Sequence, residues 1–255
     1  DLAGPWRYRI GMRLEEAPSP PVSRTGDPGT PTMLFNGMIA PLIPFAMRGV
    51  IWYQGESNAH RDRQYRVLFP AMIADWRRAW GHGDFPFLFV QIAPFREITP
   101  GIREAQLLSW QRTRNTAMVV ITDCGDANDI HPANKQPVGA RLALAARAIA
   151  YGETVEYSGP VFESMSVSGP TAILRFDHVA GGLVARGGRL KGFTVAGDDK
   201  VFWPAQAEIR GSMVVVRSRK VSKPVAVRYG WANVPDGNLF NKAGLPASPF
   251  RSDVD

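Results

Sequence analysis

The chain has 255 residues, 45% of them hydrophobic and 21% charged, with a formal net charge of +7. This is the composition of an ordinary globular protein with ample core, and no apolar run reaches the length of a membrane-spanning helix. The basic residues are scattered. Their densest group, Arg217-Ser218-Arg219-Lys220, lies between expected strands and reads as a solvated turn, so neither nucleic acid nor membrane is an expected partner. Cys124 is the only cysteine, so no disulfide forms within the chain and the compartment stays open.

Residues 1–31, rich in proline and small polar residues, read as an irregular or linker segment. The chain starts at Asp1 with no signal peptide, which suggests a mature or cleaved piece of something longer. Residues 33–47 predict a short helix limited by Pro41 and Pro44. A strand follows at 49–53, where Val50, Ile51, Trp52 and Tyr53 form an apolar run that breaks at Gly55 into Gln54 to Asn58. Tyr65, Leu68, Phe69, Met72, Ile73, Trp76 and Trp80 recur on one helical face over 61–80, with Pro70 predicting a kink or a frayed first part. A buried strand over 85–92, a helix over 102–114, a strand over 117–122, a polar loop over 123–135 and a helix over 136–151 complete an alternation of strand and helix. That order implies a parallel sheet covered on both faces.

The pattern changes near Gly152. Short alternating runs at 164–167, 172–176, 183–185, 191–195, 207–210, 213–217 and 226–229, separated by Gly, Pro and Asp, have the spacing of a β-sandwich. The expected organisation is therefore an irregular segment at 1–31, an α/β region at 32–152 and a β-rich accessory domain at 153–255.

Two polar clusters fall at the carboxyl ends of parallel strands, the edge where open α/β sheets bind ligands. One is Gln54-Gly55-Glu56-Ser57-Asn58; the other holds Asp129 and His131. A histidine in a loop before a helix, with carboxylates near it, suits a general base in acyl transfer. His60, His82 and His178 read as turn or surface residues. No His-x-x-x-His or Cys-x-x-Cys spacing exists, so no metal is expected, and there is neither a glycine-rich phosphate loop nor a GxSxG elbow.

Thr32 to Leu42, the stretch Gly49-Val50-Ile51-Trp52-Tyr53-Gln54-Gly55-Glu56-Ser57-Asn58, Asp129-Ile130-His131-Pro132, and the tail from Val227 to Asn241 and Gly244 to Arg251 resemble the sialate O-acetylesterase-like branch of the SGNH hydrolases. The resemblance implies a flavodoxin-like three-layer α/β/α sheet and a serine hydrolase that removes acetyl groups from sugars, with no cofactor, in the periplasm or secreted. It gives His131 the place of the catalytic base, and Gln54, Gly55, Glu56 and Asn58 the loop that helps build the oxyanion site. The family's serine block is not found in this chain, and Ser57 does not occupy its position. The nucleophile is therefore expected on an upstream segment or a companion N-terminal fragment. Asn128 stands where the family usually has an aspartate, three residues before the histidine. Asp129, Glu56 or a bare Ser-His dyad are the alternatives for the acid. Arg103 and Gln106, near the start of a helix at the same edge, are weaker candidates for substrate contact. The substrate that the resemblance implies is an acetylated carbohydrate, either a sialic acid ester or acetylated plant hemicellulose. The competing reading is a non-catalytic carbohydrate-binding protein with a vestigial esterase half. A lipase or thioesterase of the same superfamily fits the polar loop less well.

Overall fold

The structure is a computed structural model and describes residues 29–253; most of the irregular segment expected over 1–31 lies outside them. The described residues fall into two compact units, one ending at Ala46 and the other running from Met47. In the first, the expected short helix is a π-helical turn, Phe35–Ile39, followed by a 3-10 turn, Ala40–Leu42, with Pro41 in its first positions.

The second unit opens with three parallel strands, β1 (Val50–Trp52), β2 (Phe87–Val90) and β3 (Thr116–Val119), in the order β1-β2-β3. They alternate with α1 (Asp62–Trp80), α2 (Pro100–Arg112) and α3 (Gln136–Ile149). Alternation along β2 divides its side chains between two helical layers. Phe87 and Phe89 meet the α1 face, where Phe69 lies 4.9 Å from Phe89 and Trp76 lies 5.7 Å from Trp52, ring centroid to centroid. Leu88 and Val90 join Ala117, Val119, Val138 and Ala145 under α3. This is the three-layer α/β/α sheet. Trp52 thereby packs against Phe69, Trp76 and Phe87.

Pro70 does not interrupt α1, which stays helical to Trp80 and ends on Gly81 in the left-handed conformation. Burial of Phe69 and Ile73 on either side of Pro70 holds the turn that a missing N–H weakens. One face of β1 is left open: Ile51 shares the side of Leu88, yet it is 68% exposed, and β1 pairs only with β2 among the described residues.

Ten antiparallel strands follow: β4 (Val161–Ser168), β5 (Thr171–Asp177), β6 (Leu183–Ala185), β7 (Phe193–Ala196), β8 (Trp203–Pro204), β9 (Gln206–Arg210), β10 (Met213–Arg217), β11 (Ala226–Tyr229), β12 (Leu239–Asn241) and β13 (Phe250–Arg251). Sheets β4-β5-β10-β9 and β13-β11-β7-β8 face each other across one core, in which Leu174, Val214 and Val216 meet Phe193, Val195 and Val227. A third pair, β12-β6, adjoins them. The chain is a mixed α/β protein with a β-rich second half. The strands β8, β12 and β13 escaped the sequence pattern; β8 and β13, at two residues each, are too short to show alternation.

The α/β and β-rich halves are tied together through α2, which is buried on nearly every side, its polar residues included. Arg103, fully buried, donates from Nε to Ile92 O and from Nη2 to Ala93 O. It also donates from Nη1 to Ala232 O and from Nη2 to Asn233 O, all at 2.8–3.0 Å. Burial lowers its pKa to about 10, so it stays charged at neutral pH. Glu104 receives Arg66 on one side and Arg251 of β13 on the other, and Gln91 donates to Arg103 O and to Ser248 Oγ. Replacing the guanidinium by an apolar side chain strands four carbonyls without donors. Arg103→Met is expected to destabilise the chain by about 4 kcal/mol, measured by denaturant unfolding.

Candidate active site

Parallel pairing brings the segments after β1, β2 and β3 to one edge of the sheet. After β1 the chain turns at Gly55, whose φ of 149° favours glycine. A Cβ there would sit 3.1 Å from Ile92 Cγ1 and 3.2 Å from Gln106 Nε2. The turn leads into a 3-10 helix, Glu56–Arg61, in which the Asn58 N–H donates to Gly55 O at 2.9 Å.

A chain of polar contacts fixes this loop. Tyr65, buried on α1, donates toward Gln54 O and Oε1 at 3.3 and 3.4 Å, and Gln54 Nε2 donates to Asn58 Oδ1 at 2.8 Å. With its oxygen taken, Asn58 has its amide N–H groups left to donate to something else. Burial, with the charge of Glu56 added, pushes the Tyr53 hydroxyl up to about 12. Burial also carries Tyr65 to about 12, so both stay protonated donors. Gln106 supports the loop from beneath, donating to Gln54 O at 3.3 Å and accepting from the Ile92 N–H at 2.9 Å.

Arg103 and Gln106, the weaker candidates for substrate contact, lie inside the protein. Both are fully buried, and their donors are taken up by backbone carbonyls, so in this structure they position backbone. Charged and amide residues at a helix start ordinarily face water, and the pattern of α2 gives no sign of the carbonyls gathered around it.

His131 stands at the same edge in the loop after β3. Its ring is 90% exposed. Asp129 Oδ1 accepts the His131 backbone N–H at 2.8 Å, whereas the ring Nδ1 is 3.9 Å away, beyond hydrogen-bonding distance. Asp129 therefore shapes the turn that presents His131. Asn128 is engaged by Arg96, from the segment after β2. Lys135 Nζ lies 5.0 Å from the centroid of the Tyr53 ring, which links the His131 loop to the segment after β1. Among the described residues, no side-chain hydroxyl bonds to the His131 ring, and no group of three His, Cys, Asp or Glu could hold a metal ion.

The root of the His131 loop is clamped to α3. Arg141 forms a bidentate pair with Asp123 at 2.6 and 2.7 Å and donates to Val120 O at 2.8 Å. Burial by itself would raise the Asp123 carboxyl, but the bonds from Arg141 outweigh it and hold the group below the usual carboxylate range. Cys124, also buried, is pushed up by desolvation and by the Asp123 charge. Tyr65, Asp123 and Arg141 are the residues that sequence reasoning missed. Tyr65 was legible only as part of an apolar face, and the Asp–Arg pair spans 18 positions with no local signature.

A three-layer sheet that gathers a histidine and an amide-bearing loop at its carboxyl edge, followed by a β-rich half, has the architecture of an SGNH-type hydrolase. Residues 32–148 match the model of the family described as carbohydrate esterase, sialic acid-specific acetylesterase. It is 30% identical to the sialate O-acetylesterase of Rattus norvegicus over 96% of its own length, and 29% identical to that of Homo sapiens over 90%. Among solved structures, it is similar to the crystal structure of a carbohydrate acetylesterase from Xanthomonas citri, with 48% identity, a TM-score of 0.85 and 88% of this chain covered. The chain spans about half the length of the curated relatives it matches, 52% of the rat protein and 50% of the human one, and 55% of the Xanthomonas chain.

The Asp123–Arg141 clamp carries a pH signature. A carboxyl whose pKa is depressed by folding contributes stability that is complete above its unfolded pKa of about 3.9 and lost as pH falls through the folded value. Asp123→Asn is expected to cost about 2 kcal/mol at neutral pH. In thermal melts against pH, the gap between the variant and the unaltered chain should close below roughly pH 4.

Proposed function

We propose that this chain forms the base-bearing part of a carbohydrate O-acetylesterase. A serine on an upstream segment or companion fragment attacks the acetyl carbonyl while His131 takes its proton. The Asn58 amide and the Gly55 N–H stabilise the tetrahedral oxyanion. The intermediate collapses, His131 returns the proton to the sugar alkoxide, and water hydrolyses the acetyl-enzyme by the reverse of these transfers.

The observation that carries this reading is the Tyr65–Gln54–Asn58 chain. It consumes the Asn58 oxygen and leaves its N–H groups free, which is what an oxyanion donor requires. The exposed His131 ring, without a carboxylate in bonding range, is consistent with a base whose partners arrive with the rest of the enzyme. Glu56 or Asp129 would orient it after rearrangement; a Ser-His dyad needs neither. The edge of β1, which pairs only with β2 among the described residues, and the exposed Ile51 would suit the segment that brings the serine. Acetylated hemicellulose and sialic acid esters are both compatible substrates. The family names support a sugar ester over a lipid or thioester, and glycan degradation in the periplasm or outside the cell fits that substrate class.

Fluorophosphonate labelling read by intact mass tests the assignment. The label is expected on an upstream segment or companion polypeptide, with His131→Ala abolishing it. Asn58→Ala should lower kcat for acetate release by about 10²–10³-fold while leaving the fold intact. Label on a serine of this chain would overturn the placement of the nucleophile. Absence of label in a sample containing the upstream segment would favour the carbohydrate-binding reading.

A further inference from the structure

The β-rich half has a solvent face that the proposed chemistry does not use. In the sheet β4-β5-β10-β9, alternation sends Ala172, Leu174, Val214 and Val216 into the core and turns their neighbours outward. The register then lays out cross-strand rows. Arg175 stands opposite Met213, and Met213 opposite Arg210; Ile173 stands opposite Val215, and Val215 opposite Glu208; Arg217 stands opposite Gln206. β4 adds Ser164, Ser166 and Ser168 beside Arg175, Ile173 and Thr171.

The result is a shallow, half-buried apolar floor edged by hydroxyls and framed by arginines. Arg175 and Arg210 lie two strands apart, about 10 Å, and Arg217 lies four residues along β10 from their row, about 13 Å. A groove of about 490 Å³ lies at the β9 side of this sheet; Glu208, Arg210, Val215 and Arg217 of the outer face line it, Leu190 and Ile209 line it from the core side, and Arg189 enters from the loop after β6, while Arg175 and Ile173 lie outside it. A second groove of about 300 Å³ continues past Gln206 and Arg217 to Arg219.

The charges do not cancel. Glu208 is committed to Arg210 at 3.2 Å. Asp177 and Glu163, at the far end of β5 and in the β4 bulge, pair with none of these arginines. Among the described residues, the Arg175, Arg189, Arg217 and Arg219 side chains have no carboxylate within ion-pair range. Arg175 and Arg217 on the sheet, with Arg189 and Arg219 in the loops beside it, offer several guanidiniums that a ligand carrying spaced carboxylates would partner.

We infer that this face binds an acidic polysaccharide, one whose sugar carboxylates meet the arginines while its rings lie on the Ile173–Val215 floor. The apolar floor with hydroxyl edges matches sugar rings, which present C–H faces and hydroxyl rims. The rows contain no aromatic ring, so the stacking platform that single-stranded nucleic acid uses is missing. The choice of a glycan rests on the proposed acetylesterase function, whereas the anion chemistry of the face does not. The face would anchor the polymer and leave acetyl groups elsewhere on it for the site at the sheet edge.

Affinity electrophoresis or calorimetry of the full chain against polygalacturonate, neutral xylan and dextran sulfate tests this. Polygalacturonate should bind, neutral xylan should not, and Arg175→Gln with Arg217→Gln should weaken polygalacturonate binding about tenfold. Arg112→Gln with Arg114→Gln, which removes the same charge from exposed positions near the end of α2, should leave binding unchanged. Equal loss in that control, binding of dextran sulfate as tight as that of polygalacturonate, or no polygalacturonate binding would each overturn the inference. Acetate release from a small soluble acetylated sugar, measured with the upstream segment present, reports on the esterase reading separately. It should be unaffected by the Arg175 and Arg217 substitutions.

Discussion

A buried guanidinium is the hinge pin of this fold. Arg103 gives its donors to carbonyls at Ile92 and Ala93, just past a parallel strand, and at Ala232 and Asn233, in the loop after β11. A charge removed from water is tolerated only where each donor finds an acceptor, so the four carbonyls and the arginine require one another. The backbone that leads out of β2 toward the site is therefore set by residues from the far half of the chain. Glu104, held between Arg66 and Arg251, and Gln91, bonded to Ser248, repeat the same logic on neighbouring positions. The β-rich half is an integral support of the sheet edge and not a loosely tethered module.

Gln106 carries this support to the candidate site. It holds Gln54 O and the Ile92 N–H at once, so the loops after β1 and β2 move together. Above it, Tyr65 and Gln54 settle which way the Asn58 amide faces. A catalytic donor needs a fixed direction more than it needs strength, because reorganisation at the moment of reaction is what a preorganised site avoids. The histidine side is anchored separately, through Asp123 and Arg141, and its ring stands free.

Much of this was legible in the amino-acid sequence. The apolar runs of β1, β2 and β3 and the amphipathic face of α1 were long enough to show their period, and the two polar clusters marked the ligand edge because parallel strands end there together. What stayed hidden was non-local. Arg103 and Gln106 looked like surface residues because nothing near them in sequence announces the carbonyls of residues 232 and 233. Tyr65 read as packing because a hydroxyl's partner cannot be inferred from helical spacing. The antiparallel half was legible as a class, from its turn spacing, but β12 was missed and the two-residue β8 and β13 were too short to register. The paired rows of Arg175, Met213 and Arg210 depend on register, which a sequence pattern alone does not supply.

Cys124, the single thiol, lies at the root of the loop that carries His131, buried and kept in its protonated form by its surroundings. A thiol in that state is chemically silent in the native fold. Its Sγ lies 3.4 Å from Asp123 Oδ1 and 3.6 Å from Arg141 Nη1, so opening of that clamp would expose it. The rate at which an alkylating reagent marks the folded protein is therefore a clock for how often this loop opens, built into the chain without an added label.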